Sequence, residues 1–484
     1  MYSQSFFTTC VRGNILVPTT FAKASLGCRG FINAEFAFLA TSFSLFETLV
    51  NFLRSQLELT SHISITNLPK SKARILPACR PVGYNSSMTP PPNFNIPERI
   101  HPPMMHKIGG GVKGLYLHIP FCAKKCHYCD FVVTDAGSAS QREKFLDVLS
   151  AEMGRWLENF KNAEFDTLYL GGGTPSALDV DETAHLFKLI EKNFSFQAGA
   201  ERTCEVNPGD VTEEKAALYM KSGIRRISLG AQSFDDAILK RINRAHDAEA
   251  ISDSFRILRR AGFKNINLDL IFSLPGQTLA EVRASLEKLL ELGPEHVSLY
   301  ELTVEDRTVF GALRKKGRLN LPTEEASLEM LTFARDFLKA NGFRHYELLN
   351  YAKPGFESKH NLLYWGNHEY LGLGPGAFSY LDGRRFRNSA SYEEYLKKAE
   401  NGDLTAHEEE VLDPEKKQVE SFLLALRLTE GASAAQFSDL TPKLTSSLTR
   451  LVEQGLLLSD DQRIRLTPKG QLFAETVFTE LSSD

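Results

Sequence analysis

Cys122, Cys126 and Cys129 fall within one short segment, Phe121-Cys-Ala-Lys-Lys-Cys-His-Tyr-Cys-Asp130, directly after the apolar run Leu115–Ile119. Thiolates at a three-then-two spacing suit an iron–sulfur cluster. Three cysteines would hold three irons of a [4Fe–4S] cube and leave the fourth iron open, whereas electron-transfer clusters use four. Zinc is the competing reading, and it requires a fourth donor at matching spacing. His127 lies between two of the cysteines and is badly placed to supply it. A chance gathering of unligated cysteines is the third reading.

Other chemistry-bearing residues stand at the ends of short apolar runs. Leu170 runs into Gly171-Gly172-Gly173-Thr174-Pro175, where missing side chains let backbone groups approach a ligand, although a plain tight turn would look the same. Glu205 precedes Val206-Asn207-Pro208-Gly209, Gln232 follows Gly230-Ala231, and Arg244 opens Arg244-Ala-His246. Asp269 has leucine on both sides, and an acid in an apolar run is costly to bury unless paired, by a ligand or by a barrel lysine or arginine.

Six strand–helix units must carry these residues. The strand candidates are Leu115–Ile119, Thr167–Leu170, Thr203–Val206, Arg226–Gly230, Ile266–Phe272 and His296–Leu302. Amphipathic helical patterns separate them at Gln141–Trp156, Thr183–Asn193, Glu213–Lys221, Ala248–Ala261 and Leu279–Leu292. Repeated βα units predict parallel strands with right-handed crossovers, in either a doubly wound sheet or a barrel. From Pro414 a helix–helix–hairpin–helix pattern begins, with helices at Lys416–Leu428 and Leu444–Gln454, a short helix at Ala434–Ser438, a hairpin around Asp460-Asp461-Gln462 and a last helix to Leu481. That is a winged-helix-like layout. Nucleic-acid binding is disfavoured, because eight Lys/Arg stand against ten Asp/Glu from Glu415 onward.

The net charge of −4 hides an asymmetry: residues 1–100 hold nine Lys/Arg and four Asp/Glu, with no acid before Glu35. Basic, hydroxyl-rich and acid-poor composition predicts an organelle transit segment. The apolar run Phe36–Phe46 is too short to span a bilayer, so no transmembrane anchor is expected. Seven cysteines, three of them in one loop, do not make a disulfide framework.

The three-cysteine loop resembles that of the radical S-adenosylmethionine (SAM) superfamily, in which the open iron chelates SAM. Tyr116–Cys122, Gly171–Ser176, Cys204–Pro208, Ser228–Phe234, Arg244–His246 and Asp269–Gly276 together, in this order, resemble the oxygen-independent coproporphyrinogen III oxidase family. The resemblance covers roughly residues 112–480. It implies an open (β/α)6 radical-SAM barrel, a [4Fe–4S] cluster on Cys122, Cys126 and Cys129, and an electron donor to that cluster. It also places Tyr116, Tyr128, Gly172, Gly173, Thr174, Glu205, Gln232, Arg244 and Asp269 around SAM. Oxidases of the family decarboxylate coproporphyrinogen by hydrogen abstraction and carry a further cysteine two residues beyond the triplet; position 131 here is Phe. Lys359-His-Asn-Leu-Leu-Tyr-Trp365 resembles instead a signature of the family's heme chaperones, which implies heme as cargo, His360 as its iron ligand, and a heme-acceptor protein as partner. The resulting organisation is a targeting extension (1–108), the barrel (109–322), an extension bearing the His360 motif (323–412) and the winged-helix-like domain (413–484).

Overall fold

The computed structural model describes residues 113–161, 163–400, 408–437 and 442–482, all in one compact unit. The expected targeting extension at 1–108 lies outside the described residues.

Six strands form the predicted parallel core: β1 (Gly114–Ile119), β2 (Glu164–Gly172), β3 (Ser195–Val206), β4 (Arg226–Gln232), β5 (Asn265–Phe272) and β6 (His296–Glu301), each beside the next in chain order. Helices α1 (Ala139–Trp156), α2 (Val180–Asn193), α3 (Glu213–Lys221), α4 (Ala248–Arg260) and α5 (Leu279–Leu292) connect them. Reciprocal capping boxes start three of these helices: Ser138 with Gln141, Asp179 with Glu182 and Thr278 with Glu281. Each satisfies backbone N–H groups that a helix start would otherwise leave open.

Strand alternation divides the sheet into two faces. Leu115, Leu117 and Ile119 are fully buried and share a core with Phe145, Leu149 and Met153 of α1. Their neighbours on the other face are polar: Tyr116 and His118, then Thr167 and Tyr169, Thr203 and Glu205, Arg226 and Ser228, Asn267 and Asp269, and His296 and Ser298, all buried. The barrel interior is therefore a hydrogen-bonded polar stack, open to chemistry at the C-terminal ends of its strands.

The sheet does not stop at six strands. After α6 (Glu324–Ala340), β7 (Arg344–Glu347) and β8 (Asn350–Ala352) add to the β6 edge, with β8 antiparallel to both β6 and β7. On the other edge β9 (Tyr370–Leu373) runs parallel to β1 and is followed by antiparallel β10 (Phe378–Leu381), β11 (Arg384–Arg387) and β12 (Glu408–Val411). The result is a twelve-stranded sheet in which β1 and β6 both pair with extension strands, so the barrel stays open. Between the two additions lies α7 (Lys359–Trp365), a helix N-capped by Ser358.

Past residue 412 come α8 (Pro414–Ala425), α9 (Pro442–Glu453) and α10 (Ala474–Ser482), with a three-stranded sheet of Ala432–Ser433, Leu457–Ser459 and Arg463–Leu466. The short helix expected at Ala434–Ser438 is absent among the described residues. Ala432 and Ser433 instead pair with Ile464 and Arg463, and the Ala434 N–H donates to the Gln462 carbonyl, so the backbone is committed to the sheet and a turn. This module is fixed to the barrel sheet by a buried Arg385–Glu420 ion pair, with Nη1 2.6 Å from Oε2, and by the Leu348 N–H on the Arg427 carbonyl.

Candidate functional site

The cysteine loop leaves β1 at Ile119 and is pinned from several directions. The Gly173 N–H donates to Ile119 O at 2.8 Å and the Thr134 N–H to Pro120 O at 2.8 Å. The Asn243 side chain donates to Lys125 O at 2.7 Å, and the His127 N–H bonds Ile242 O at 3.1 Å. Cys122, Cys126 and Cys129 are half-buried free thiols within it. Burial pushes the Cys122 thiol up to about 11 and the Cys129 thiol up to about 12, so binding a metal must displace their protons. Arg244 supplies compensating charge, with Nη1 3.4 Å from Cys126 Sγ, while Thr174 Oγ1 lies 3.5 Å from Cys122 Sγ.

The loop brings three thiol donors together. Among the described residues no three His, Cys, Asp or Glu side chains close on a point that would hold one metal ion. Sulfurs bound to one zinc must each stand about 2.3 Å from it, a demand that one thiolate per iron does not make. His127 joins no group of three donors placed to hold a metal ion among the described residues; its Nδ1 is 3.1 Å from Arg241 O and its ring packs edge-on against Phe310.

Above the loop the strand ends form a cradle. Gly172 has φ +110°, and a Cβ there would sit 2.8 Å from the His118 ring; a Cβ on Gly173 would sit 2.7 Å from the Pro120 backbone. Both positions exclude a side chain, so the backbone of β2 lies against the cysteine loop. Thr174 accepts from Asn207 Nδ2 at 2.8 Å, and Asn207 Oδ1 in turn accepts from Arg244 Nη2 at 2.6 Å. Arg244 Nη2 also donates to Gly230 O at 2.6 Å, which fixes the guanidinium beside Cys126.

Gln232 ends β4 at φ 68°, a left-handed conformation uncommon for a non-glycine residue. Its amide Oε1 and Nε2 are both buried without a hydrogen-bond partner, on the wall of a cavity of about 480 Å³. Each unsatisfied buried group costs ~1–3 kcal/mol. Strain and unmet polar groups thus coincide at this position on the cavity wall. Tyr128, Cys129, Phe131, Tyr300 and Arg307 share that wall. Glycines without side chains, an unmet amide and three thiols beside a guanidinium fit both a cluster and an amino-acid-bearing ligand of the SAM type.

Glu205 faces the interior below this cradle. Tyr169 donates to its Oε1 at 2.8 Å. Burial lifts the Glu205 pKa above the ordinary carboxylate range, the nearby Asp269 adds to the rise, and the Tyr169 hydroxyl and Gly172 N–H oppose it. Asp269 accepts from Ser228 Oγ at 3.0 Å and Asn267 Nδ2 at 2.8 Å, so its hydrogen-bond partners are neutral and not a lysine or arginine. Tyr116 reaches His118 Nδ1 at 3.2 Å, and His118 Nε2 holds Val132 O at 2.7 Å. Burial drives His118 down to about 4, so the ring is neutral. His118, Tyr169 and Asn207 were missed as site residues; the inward alternation Tyr116-x-His118 and Thr167-x-Tyr169 is the signal that could have found the first two.

His360 does not join this group. It lies at the opposite end of the strands, 1 % exposed, with Nδ1 2.7 Å from Thr167 Oγ1 and Nε2 2.9 Å from the Tyr364 hydroxyl. Both nitrogens are engaged, so neither is presented to an iron in this structure. Burial, then the Arg226 charge, push it down to about 3. Trp365 likewise does not line the mouth cavity; the Arg427 guanidinium lies over its ring at 4.4 Å.

A parallel βα barrel with a three-cysteine loop after its first strand and a glycine cradle after its second has the architecture of a radical SAM protein. The radical SAM superfamily matches residues 116–335, and the HemN C-terminal domain matches residues 412–473. Coproporphyrinogen III oxidase (HemN) from Escherichia coli, a radical SAM enzyme, superposes with a TM-score of 0.69 at 25 % identity, covering 77 % of this chain and 90 % of that one. The heme chaperone HemW of Lactococcus lactis is 38 % identical over 374 residues, covering 76 % of this chain and 97 % of the relative. HemW of Bacillus subtilis is also 38 % identical over 374 residues, covering 76 % of this chain and 98 % of the relative. The chain belongs to the HemW family of the radical SAM superfamily.

Proposed function

We propose that this chain is a heme chaperone that carries a [4Fe–4S] cluster and SAM at the barrel mouth and passes heme to an acceptor protein. The observation that carries the reading is Phe131. It lines the mouth cavity beside Cys129 where the oxidases have another cysteine, and the relatives matched over nearly their whole length are chaperones. Cys122, Cys126 and Cys129 would hold the cluster, whose open iron supplies a binding point for the amino and carboxylate groups of SAM. Arg244 balances the thiolate charge, Gln232 offers an amide to a carboxylate or base edge, and Glu205 offers a carboxylate to a cationic ligand. The Phe131, Tyr300 and Phe378 faces of the cavity suit a flat apolar macrocycle, and Lys125 and Arg307 on its wall suit that macrocycle's carboxylates.

No helix among the described residues is long and apolar enough to cross a membrane. The basic composition of residues 1–108 supports an organellar destination, and a reducible cluster calls for an electron donor. The reading is tested by loading the reconstituted chain with heme, mixing it with an apo-hemoprotein and separating the two. Heme should pass to the acceptor faster than free heme is released. Transfer to the acceptor no faster than spontaneous release would contradict it.

A further inference from the structure

The motif on α7 is packed as a support for the barrel interior. Ser358 caps the helix, and its His360 enters beside Gly114 of β1 and Thr167 of β2. Gly114 leaves the room: a Cβ there would come within 3.4 Å of His360 Cε1. Thr167 and Tyr364 hold the two ring nitrogens, and the imidazole stacks on Tyr169 with centroids 5.0 Å apart and planes at 28°. Tyr169 also stacks on Tyr116, at 6.1 Å and 25°. Thus held between rings, it points its hydroxyl at Glu205 Oε1, 2.8 Å away. The far end of α7 is fixed as well, since Trp365 lies under Arg427 of the C-terminal module.

We propose that His360 is a positioning residue for Glu205, acting through the Tyr169 ring, and that its work in this protein is to set SAM affinity. The proposal rests on the assignment of Glu205 to SAM made above. A buried, doubly hydrogen-bonded ring is a rigid backstop for Tyr169. Without it, the tyrosine has space to tilt away, and the carboxylate loses one of the donors that orient it and favour its ionised form.

The test is a double-mutant cycle on the full chain, anaerobically reconstituted, read by equilibrium binding of SAM and by heme titration. His360→Ala and Tyr169→Phe should each weaken SAM binding about tenfold, equivalent to ~1.4 kcal/mol. Because both act on one carboxylate, the double variant should bind no more weakly than the worse single one. His360→Phe keeps a ring against Tyr169 and should recover most of the affinity, which also covers the case of a poorly folding alanine variant. Heme stoichiometry and Soret position should match the wild type in all of them. Unchanged SAM affinity in His360→Ala would overturn the proposal, as would losses that multiply to about a hundredfold in the double variant. A Soret band lost or shifted in His360→Phe with SAM binding intact would make His360 a heme ligand instead. Glu205→Gln is the separate control: unchanged SAM binding there removes the Glu205 assignment itself, whatever the cycle shows.

Discussion

Glu205→Gln changes one atom type at nearly constant volume, in a place where the structure allows the consequence to be worked out. The Gln Oε1 can still accept the Tyr169 hydroxyl, which in the wild type sits 2.8 Å from Glu205 Oε1, so the interior stack is retained. What disappears is the negative charge offered to a cationic ligand. A hydrogen bond to a charged group contributes ~1.5–3 kcal/mol, so the SAM dissociation constant should rise about 10- to 150-fold. The pH dependence follows from the direction of the Glu205 shift. Burial raises its pKa, so proton uptake begins above the ordinary carboxylate range of about 4.3. SAM affinity should therefore be full at pH values above that raised pKa, fall as pH drops through it, and lose this dependence in Glu205→Gln. Equilibrium binding of SAM to the reconstituted protein across a pH series measures both. Wild-type affinity in the variant, or the same pH profile in both proteins, would show that the Glu205 charge does not hold SAM.

Any one of Cys122→Ser, Cys126→Ser or Cys129→Ser should abolish the broad iron–sulfur absorption of the reconstituted chain, whereas Cys204→Ser, altering a thiol buried in β3 away from the loop, should leave about four irons per chain. Arg385→Ala should lower stability by about 3–5 kcal/mol in chemical denaturation, because it strands Glu420 as an unpaired buried charge, and Arg385→Met with Glu420→Leu should cost less than the single change. A chain beginning at residue 109 should still assemble the cluster, and residues 1–108 fused to a fluorescent protein should enter an organelle; a cytosolic signal would remove the targeting reading.

Much of the barrel was legible because its signal is periodic. Each of the six core strands alternates an apolar outer residue with a polar inner one, and the strand ends fall within two residues of the runs read from the sequence, whereas β2 begins three residues earlier than read and β3 eight. The mouth was legible for a different reason: glycine at Gly172 and Gly173 and an acid at Glu205 are residue types that a strand end tolerates only with a purpose. Strands β7 to β12 escaped notice because they are three or four residues long, too short to show a period, and take their pairing from β1 and β6. The surroundings of His360 were hidden for a similar reason. A His-Asn pair near tyrosine and tryptophan has the local chemistry of a ligand site, but its surroundings come from Thr167 and Tyr169, far away in the chain, and only the fold brings them together.

On this reading the radical-SAM barrel handles heme and does not make its precursor. Anaerobically reconstituted protein, supplied in parallel with heme and with coproporphyrinogen III plus SAM and a reductant, tests it in one preparation. Binding of about one heme per chain with no protoporphyrinogen formed is the predicted result. Sustained decarboxylation of coproporphyrinogen by the wild-type chain, with Phe131 in place, would contradict it.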